Sequence, residues 1–253
     1  MKKCLLLLFI YFLASFLRAD LIVQDELIKV YQLAFDETVT GSIRLHNSSY
    51  DPIRIIVSQA DFSSLGKDEY AYTEPGKNTR SNAQWISCSN FFMIAPRTTE
   101  QYQFTIHAPK RNDLQGSYWS ILFLEEEATK DLTNISSIEV SYRYEFHIIS
   151  SIINTGEPIV RMESVEKKTD HVSIGLENTG SLWIDSTATI DIYNATARFM
   201  GSYIDDSVRI YPGFSKTLRI NIPEFPPDEY YAIITINCGN NYIYGHQLSF
   251  TNK

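Results

Sequence analysis

Gln101-Tyr102-Gln103-Phe104-Thr105-Ile106-His107 alternates polar and apolar side chains without a break. A period of two marks an extended strand with one buried face, and it places Tyr102, Phe104 and Ile106 toward a core. Downstream, Ser117-Tyr118-Trp119-Ser120-Ile121-Leu122-Phe123-Leu124 is more continuously apolar, as suits a central strand covered on both faces. Further short runs at 28–34, 41–47, 52–62, 85–88 and 138–149 complete a first set. They are separated by Asn47-Ser48-Ser49, Glu74-Pro75-Gly76, Ala95-Pro96 and Ala108-Pro109, all turn chemistry. No run holds a helical period over about eleven residues, so the region reads as seven strands without a substantial helix.

Asn154-Thr155-Gly156-Glu157-Pro158 then breaks the pattern, and strands recur at 159–165, 171–178, 188–193, 207–211, 215–222, 230–237 and 242–250. The expected fold class is all-β: two tandem immunoglobulin-like sandwiches, 20–154 and 155–253, after a signal peptide at 1–19. Enrichment in Tyr (16) and Phe (14) over Met (4) favours strands over helices.

The start of the chain predicts export. Met1-Lys2-Lys3 is a positive n-region, and the 14 residues from Cys4 to Leu17 are uncharged and mostly apolar. That run is shorter than the roughly 20 residues a membrane span needs and fits a secretory h-region. Leu17-x-Ala19 supplies a small-residue cleavage context, with Arg18 an unusual neighbour of the cut. An uncleaved anchor is the alternative, and it is the only membrane contact expected. The expected location is the periplasm or the cell surface. Cleavage after Ala19 removes Lys2, Lys3 and Arg18, which takes the net charge from −8 to −11. A balance that acidic argues against nucleic acid, which needs clustered Lys and Arg.

With those residues laid out, the first domain resembles the N-terminal immunoglobulin-like domain of periplasmic pilus chaperones, and related domains of bacterial wall-associated surface proteins. The residues that carry the resemblance are Gly41 to Ser49, Asp61, Trp85-Ile86, Ile94 to Ile106 and Gly116 to Phe123. The second domain is similar to the sandwich that follows in such proteins, through Leu176-Glu177-Asn178-Thr179-Gly180, Tyr211-Pro212-Gly213 and Glu229 to Ile233. The resemblance implies an exported, non-enzymatic protein without cofactors, which binds a pilus or surface subunit by lending it an edge strand. In that mode main-chain hydrogen bonds give affinity and alternate side chains give specificity.

The candidate lending strand carries Val140, Tyr142, Tyr144, Phe146 and Ile148 on one face. The bland reading of those five is that they pack into their own domain. The resemblance also implies two basic side chains that anchor a partner's terminal carboxylate, and the nearest basics on the corresponding strands are Lys29 and Arg143. As surface residues they would instead shield an edge from aggregation. The Arg-Glu pair usual ahead of the sixth strand is replaced here by Gln115-Gly116.

A cell-surface adhesion or glycan-binding module is the alternative function, since sandwiches use exposed Trp and Tyr as stacking platforms. Trp85 and Trp119 sit inside apolar runs and read as core, whereas Trp183 follows a turn and is expected exposed. The five histidines make no HxH or HxxxH pair, so no metal is expected. No nucleophile elbow or phosphate-cradling glycine loop occurs. Cys88 and Cys238, 150 residues apart, read as separate thiols, with a bridge as the alternative. Asn47, Asn134 and Asn194 head Asn-x-Ser/Thr sequons that matter only in a eukaryotic secretory pathway.

Overall fold

The computed structural model describes residues 21–127, 142–205, 207–239 and 242–252. The signal segment expected at 1–19, together with Asn134 and Val140, lies outside the described residues. The first half of the chain forms β1 (Leu21–Val23), β2 (Ile28–Leu33), β3 (Thr38–Asn47), β4 (Ile53–Gly66), β5 (Glu69–Thr73), β6 (Ile86–Cys88), β7 (Phe91–Ile94), β8 (Thr99–His107), β9 (Ser117–Glu126) and β10 (Arg143–Ile152). One sheet has the order β1-β3-β8-β6, and the sheet facing it has β2-β10-β9-β4, with β5 and β7 both on the far side of β4. The second half adds β11 (Val160–Lys167), β12 (His171–Asn178), β13 (Ile184–Asn194), β14 (Phe199–Ile204), β15 (Val208–Ile210), β16 (Ser215–Asn221), β17 (Asp228–Asn237) and β18 (Ile243–Asn252). These form the sheets β11-β12-β16 and β14-β13-β17-β18, with β15 also on β13. The chain is two β-sandwiches in tandem.

The period-two reading holds in β8, where Tyr102, Phe104 and Ile106 are buried against Leu122, Leu124, Phe146 and Ile148. The continuous apolar run of β9 has the physical cause inferred for it. Leu122 and Leu124 enter the first core, while Trp119, Ile121 and Phe123 on the opposite face join the core of the second sandwich, with Tyr211 and Phe214. One strand is thus shared by two cores, and this seats the domains against each other.

Both sandwiches use the same turn device. Asn47 is fully buried; its Nδ2 donates to Asp51 O (2.7 Å) and Ile94 O (3.1 Å), and its Oδ1 accepts from Ser49 N. Asn178 repeats this with Leu182 O (2.8 Å), Ile210 O (2.9 Å) and Gly180 N. A buried amide with its bonds filled fixes a turn where an unfilled one would destabilise it.

Candidate functional site: a half-covered strand at the domain junction

The site is built on β10. It pairs antiparallel with β9 from Arg143–Glu125 to Ser151–Ser117, but it pairs with β2 only from His147–Ile28 to Ile152–Leu33, and there in parallel. The direction of its main-chain groups follows from the bonds at its ends. Glu126 N donates to Tyr142 O, and Ile152 N to Gly116 O, so even-numbered residues turn toward β9. His147 N donates to Leu27 O (2.8 Å), and Ile153 N to Leu33 O (3.0 Å), so odd-numbered residues turn toward β2. Arg143 and Glu145 therefore direct their N–H and C=O groups away from β9, to a side where no described strand lies.

The side chains of β10 divide by face. Tyr142 and Tyr144 are half-buried, and the Tyr144 hydroxyl donates to Leu21 O (2.7 Å). Phe146 and Ile148 are 0% exposed within the first core, beside the stretch that β2 covers. The expectation that these two face a partner is corrected: they fill their own domain. Lys29 and Arg143 are not brought together. Lys29 stands beside Ile148, five residues along β10 from Arg143, or about 16 Å at ~3.3 Å per residue, and on the opposite face. Lys29 Nζ pairs with Asp25 at 3.2 Å, and Asp25 also accepts from Arg44 Nε and Nη2. Burial raises the Asp25 pKa, but the bonds from Arg44 and Lys29 together outweigh it and hold the carboxyl below its ordinary value. The Arg143 guanidinium lies 3.6 Å over the Phe123 ring.

The odd-numbered face of β10 turns to the second sandwich and carries a polar chain. Tyr72 Oη donates to Glu145 Oε2 (2.5 Å), Glu145 Oε1 lies 2.9 Å from His147 Nε2, and His147 Nδ1 lies 2.9 Å from Tyr211 Oη. A neutral imidazole accepts from Tyr211 Oη at Nδ1, while Nε2 makes a close polar contact with the Glu145 carboxylate. Burial lowers the His147 pKa against the pull of Glu145, and burial raises that of Tyr211. The sequence reading missed this chain. Its signal was present in the alternation of β10, which puts Glu145 and His147 at positions the apolar face leaves out; Tyr72 lay in a segment taken for loop.

Direct bonds lock the junction around it. Ser117 N donates to Ser181 O (2.8 Å), Trp183 N to Ser117 Oγ (3.0 Å), and Arg80 Nη1 to Ser181 O (3.4 Å). The tip of the β4–β5 hairpin reaches β16, where Thr217 N donates to Asp68 Oδ1 (3.1 Å). Trp85 and Trp119 are buried, as expected. Trp183, expected exposed, is half-buried with the Arg209 guanidinium 4.9 Å over its ring, so the indole face is already occupied. Cys88 and Cys238 are free thiols, and burial raises Cys238 to about 11. Among the described residues no three His, Cys, Asp or Glu side chains stand together as metal ligands, and no helix is long and apolar enough to cross a membrane.

The sequence matches no family model and no curated protein. Solved structures match its fold. The class 5 fimbriae chaperone CfaA is 13% identical, with a TM-score of 0.55 over 92% of this chain and 100% of that one. A chain from a chaperone-tip adhesin complex, described as vital for synergistic activation of CFA/I fimbriae biogenesis, is 13% identical with a TM-score of 0.54 over 91% of this chain and 98% of that one. Two sandwiches in this arrangement are the fold of the fimbriae chaperone CfaA.

Proposed function

We propose that this chain, which has the fimbrial chaperone fold, is an exported, non-enzymatic protein that binds a pilus or surface subunit by β-augmentation along the open half of β10. The observation that carries the reading is the step in β10 between Glu145 and His147. On one side of the step β2 fills the edge; on the other the main-chain groups of Arg143 and Glu145 point outward. A strand from a partner fits there as a continuation of the line β2 occupies, with its end next to Leu27. Its side chains would meet Tyr142 and Tyr144, the half-buried members of the apolar face. Export and a periplasmic location belong to the same reading, which rests on the fold and on the charged, apolar pattern of residues 1–19.

Arg143→Pro removes one outward N–H and leaves the bonds to β9 in place, while Arg143→Ala removes only the guanidinium. The reading expects a subunit encoded beside this chain to co-purify with wild type and Arg143→Ala and to be lost with Arg143→Pro. Equal retention by folded Arg143→Pro would contradict it.

A further inference from the structure

The longest edge strand among the described residues is β18, which pairs only with β17. Its ten residues, Ile243-Tyr244-Gly245-His246-Gln247-Leu248-Ser249-Phe250-Thr251-Asn252, include no Asp, Glu, Lys, Arg or Pro. Those are the residues that usually blunt an exposed edge. The edges of the facing sheet do carry them: Arg161, Glu163, Glu166 and Lys167 on β11, and Lys216 and Arg219 on β16. The core row also ends half-open at β18. Tyr230, Ala232, Ile234 and Ile236 of β17 are buried, whereas Tyr244, Leu248 and Phe250 beside them are half-buried, and Ile243 is 63% exposed.

We propose that this edge pairs with the same edge of a second copy of the chain, antiparallel about a two-fold axis at Gln247. Cys238 N donates to Tyr242 O, which turns even-numbered residues of β18 toward β17 and odd-numbered ones outward. A symmetric antiparallel pair must therefore match odd with odd. Centred on Gln247, the main chain of Ile243 faces Thr251, Gly245 faces Ser249 and Gln247 faces itself, for about ten hydrogen bonds. The even-numbered side chains then meet in the closer, non-hydrogen-bonded pairs, which sets Tyr244 against Phe250 of the other copy twice and His246 against Leu248. No like charges oppose one another within the strand pair. Moving the centre by one residue to Leu248 breaks the aromatic pairs and opposes Tyr244 to Asn252. The contact is self-complementary, as a two-fold interface requires, and it is separate from the open half of β10.

Sedimentation over a concentration series tests this on the full mature chain. Wild type should show a monomer–dimer equilibrium. Ser249→Pro, which removes an outward N–H and spares the bonds to β17, and Gln247→Lys, which opposes two ammonium groups at the axis, should each weaken the dimer at least about tenfold. Arg143→Pro should leave it unchanged. A wild type that stays monomeric, a dimer untouched by both β18 variants, or a dimer lost only with Arg143→Pro would each overturn the assignment.

Discussion

The amide of His147 donates to the carbonyl of Leu27 at 2.8 Å, and among the described residues this bond marks the point on β10 where pairing with β2 begins. Beyond it, β10 pairs with both β9 and β2; before it, the main-chain groups of Arg143 and Glu145 turn to a side where no described strand lies. The same residue turns its imidazole to Tyr211 of the second sandwich, so the end of the open edge and the domain junction meet at one side chain.

If Phe146 belongs to the core and Tyr142 to the margin, truncation separates them. Phe146→Ala should cost about 3 to 5 kcal/mol of stability, the usual range for a buried Phe. Tyr142→Ala should cost about 1 kcal/mol or less while weakening partner binding. Urea unfolding checks the first pair of values, and a shared large loss would return Tyr142 to the core.

His147 gives the junction a pH dependence of known sign. Its folded pKa lies below the ordinary 6.5 because burial disfavours the imidazolium, and Arg209 adds to this while Glu145 opposes it. The unfolded chain therefore binds the proton more readily. The contribution is complete above about 6.5 and is lost as pH falls through the folded value. Stability measured by urea at stepped pH should drop across that window in wild type and much less in His147→Gln. The Asp25 contribution, also from a lowered pKa, is lost only at more acidic pH, below the ordinary carboxylate value of 3.8.

Gly116 holds φ at +71°, and a Cβ there would stand 2.0 Å from Ser181 O across the junction. Gly116→Ala should destabilise by more than the ~1–2 kcal/mol of a left-handed backbone alone, because the contact is with main chain of the other sandwich. A melting temperature unchanged within error would contradict the close approach.

Much of the fold was legible because its strands state their period openly. The alternation in β8 and the unbroken apolar run in β9 predicted one-sided and two-sided burial, and both are found. The strands missed have physical reasons. β1 and β7 are three and four residues long, too short to show a period, and β14 contains Gly201 at φ +158° beside a register shift. β5 lies between Lys67-Asp68 and Glu74-Pro75-Gly76, and its Tyr70 and Tyr72 are exposed, so nothing in its sequence marks a core face. The site was legible only in part. Alternation identified the apolar face of β10, but where that face passes from margin to core depends on where β2 begins beside it, a long-range register that no local pattern encodes. The pairing of Lys29 with Ile148 is the same kind of fact, and it separates Lys29 from Arg143.

Asn178 predicts the weight of the repeated turn device. Asn178→Ala leaves the carbonyls of Leu182 and Ile210 without their donor and should destabilise by about 1 to 3 kcal/mol. Asn47→Ala should behave alike in the first sandwich, read by the same urea titration.

Amide hydrogen exchange along β10, with and without a bound partner, addresses the open edge itself. In the free protein the amides of Arg143 and Glu145 should exchange fast while those of Tyr144, Phe146 and His147 are protected, and a bound partner should slow Arg143 and Glu145 selectively. Protection of Arg143 and Glu145 in the free protein, or no change on binding, would contradict strand lending along this edge.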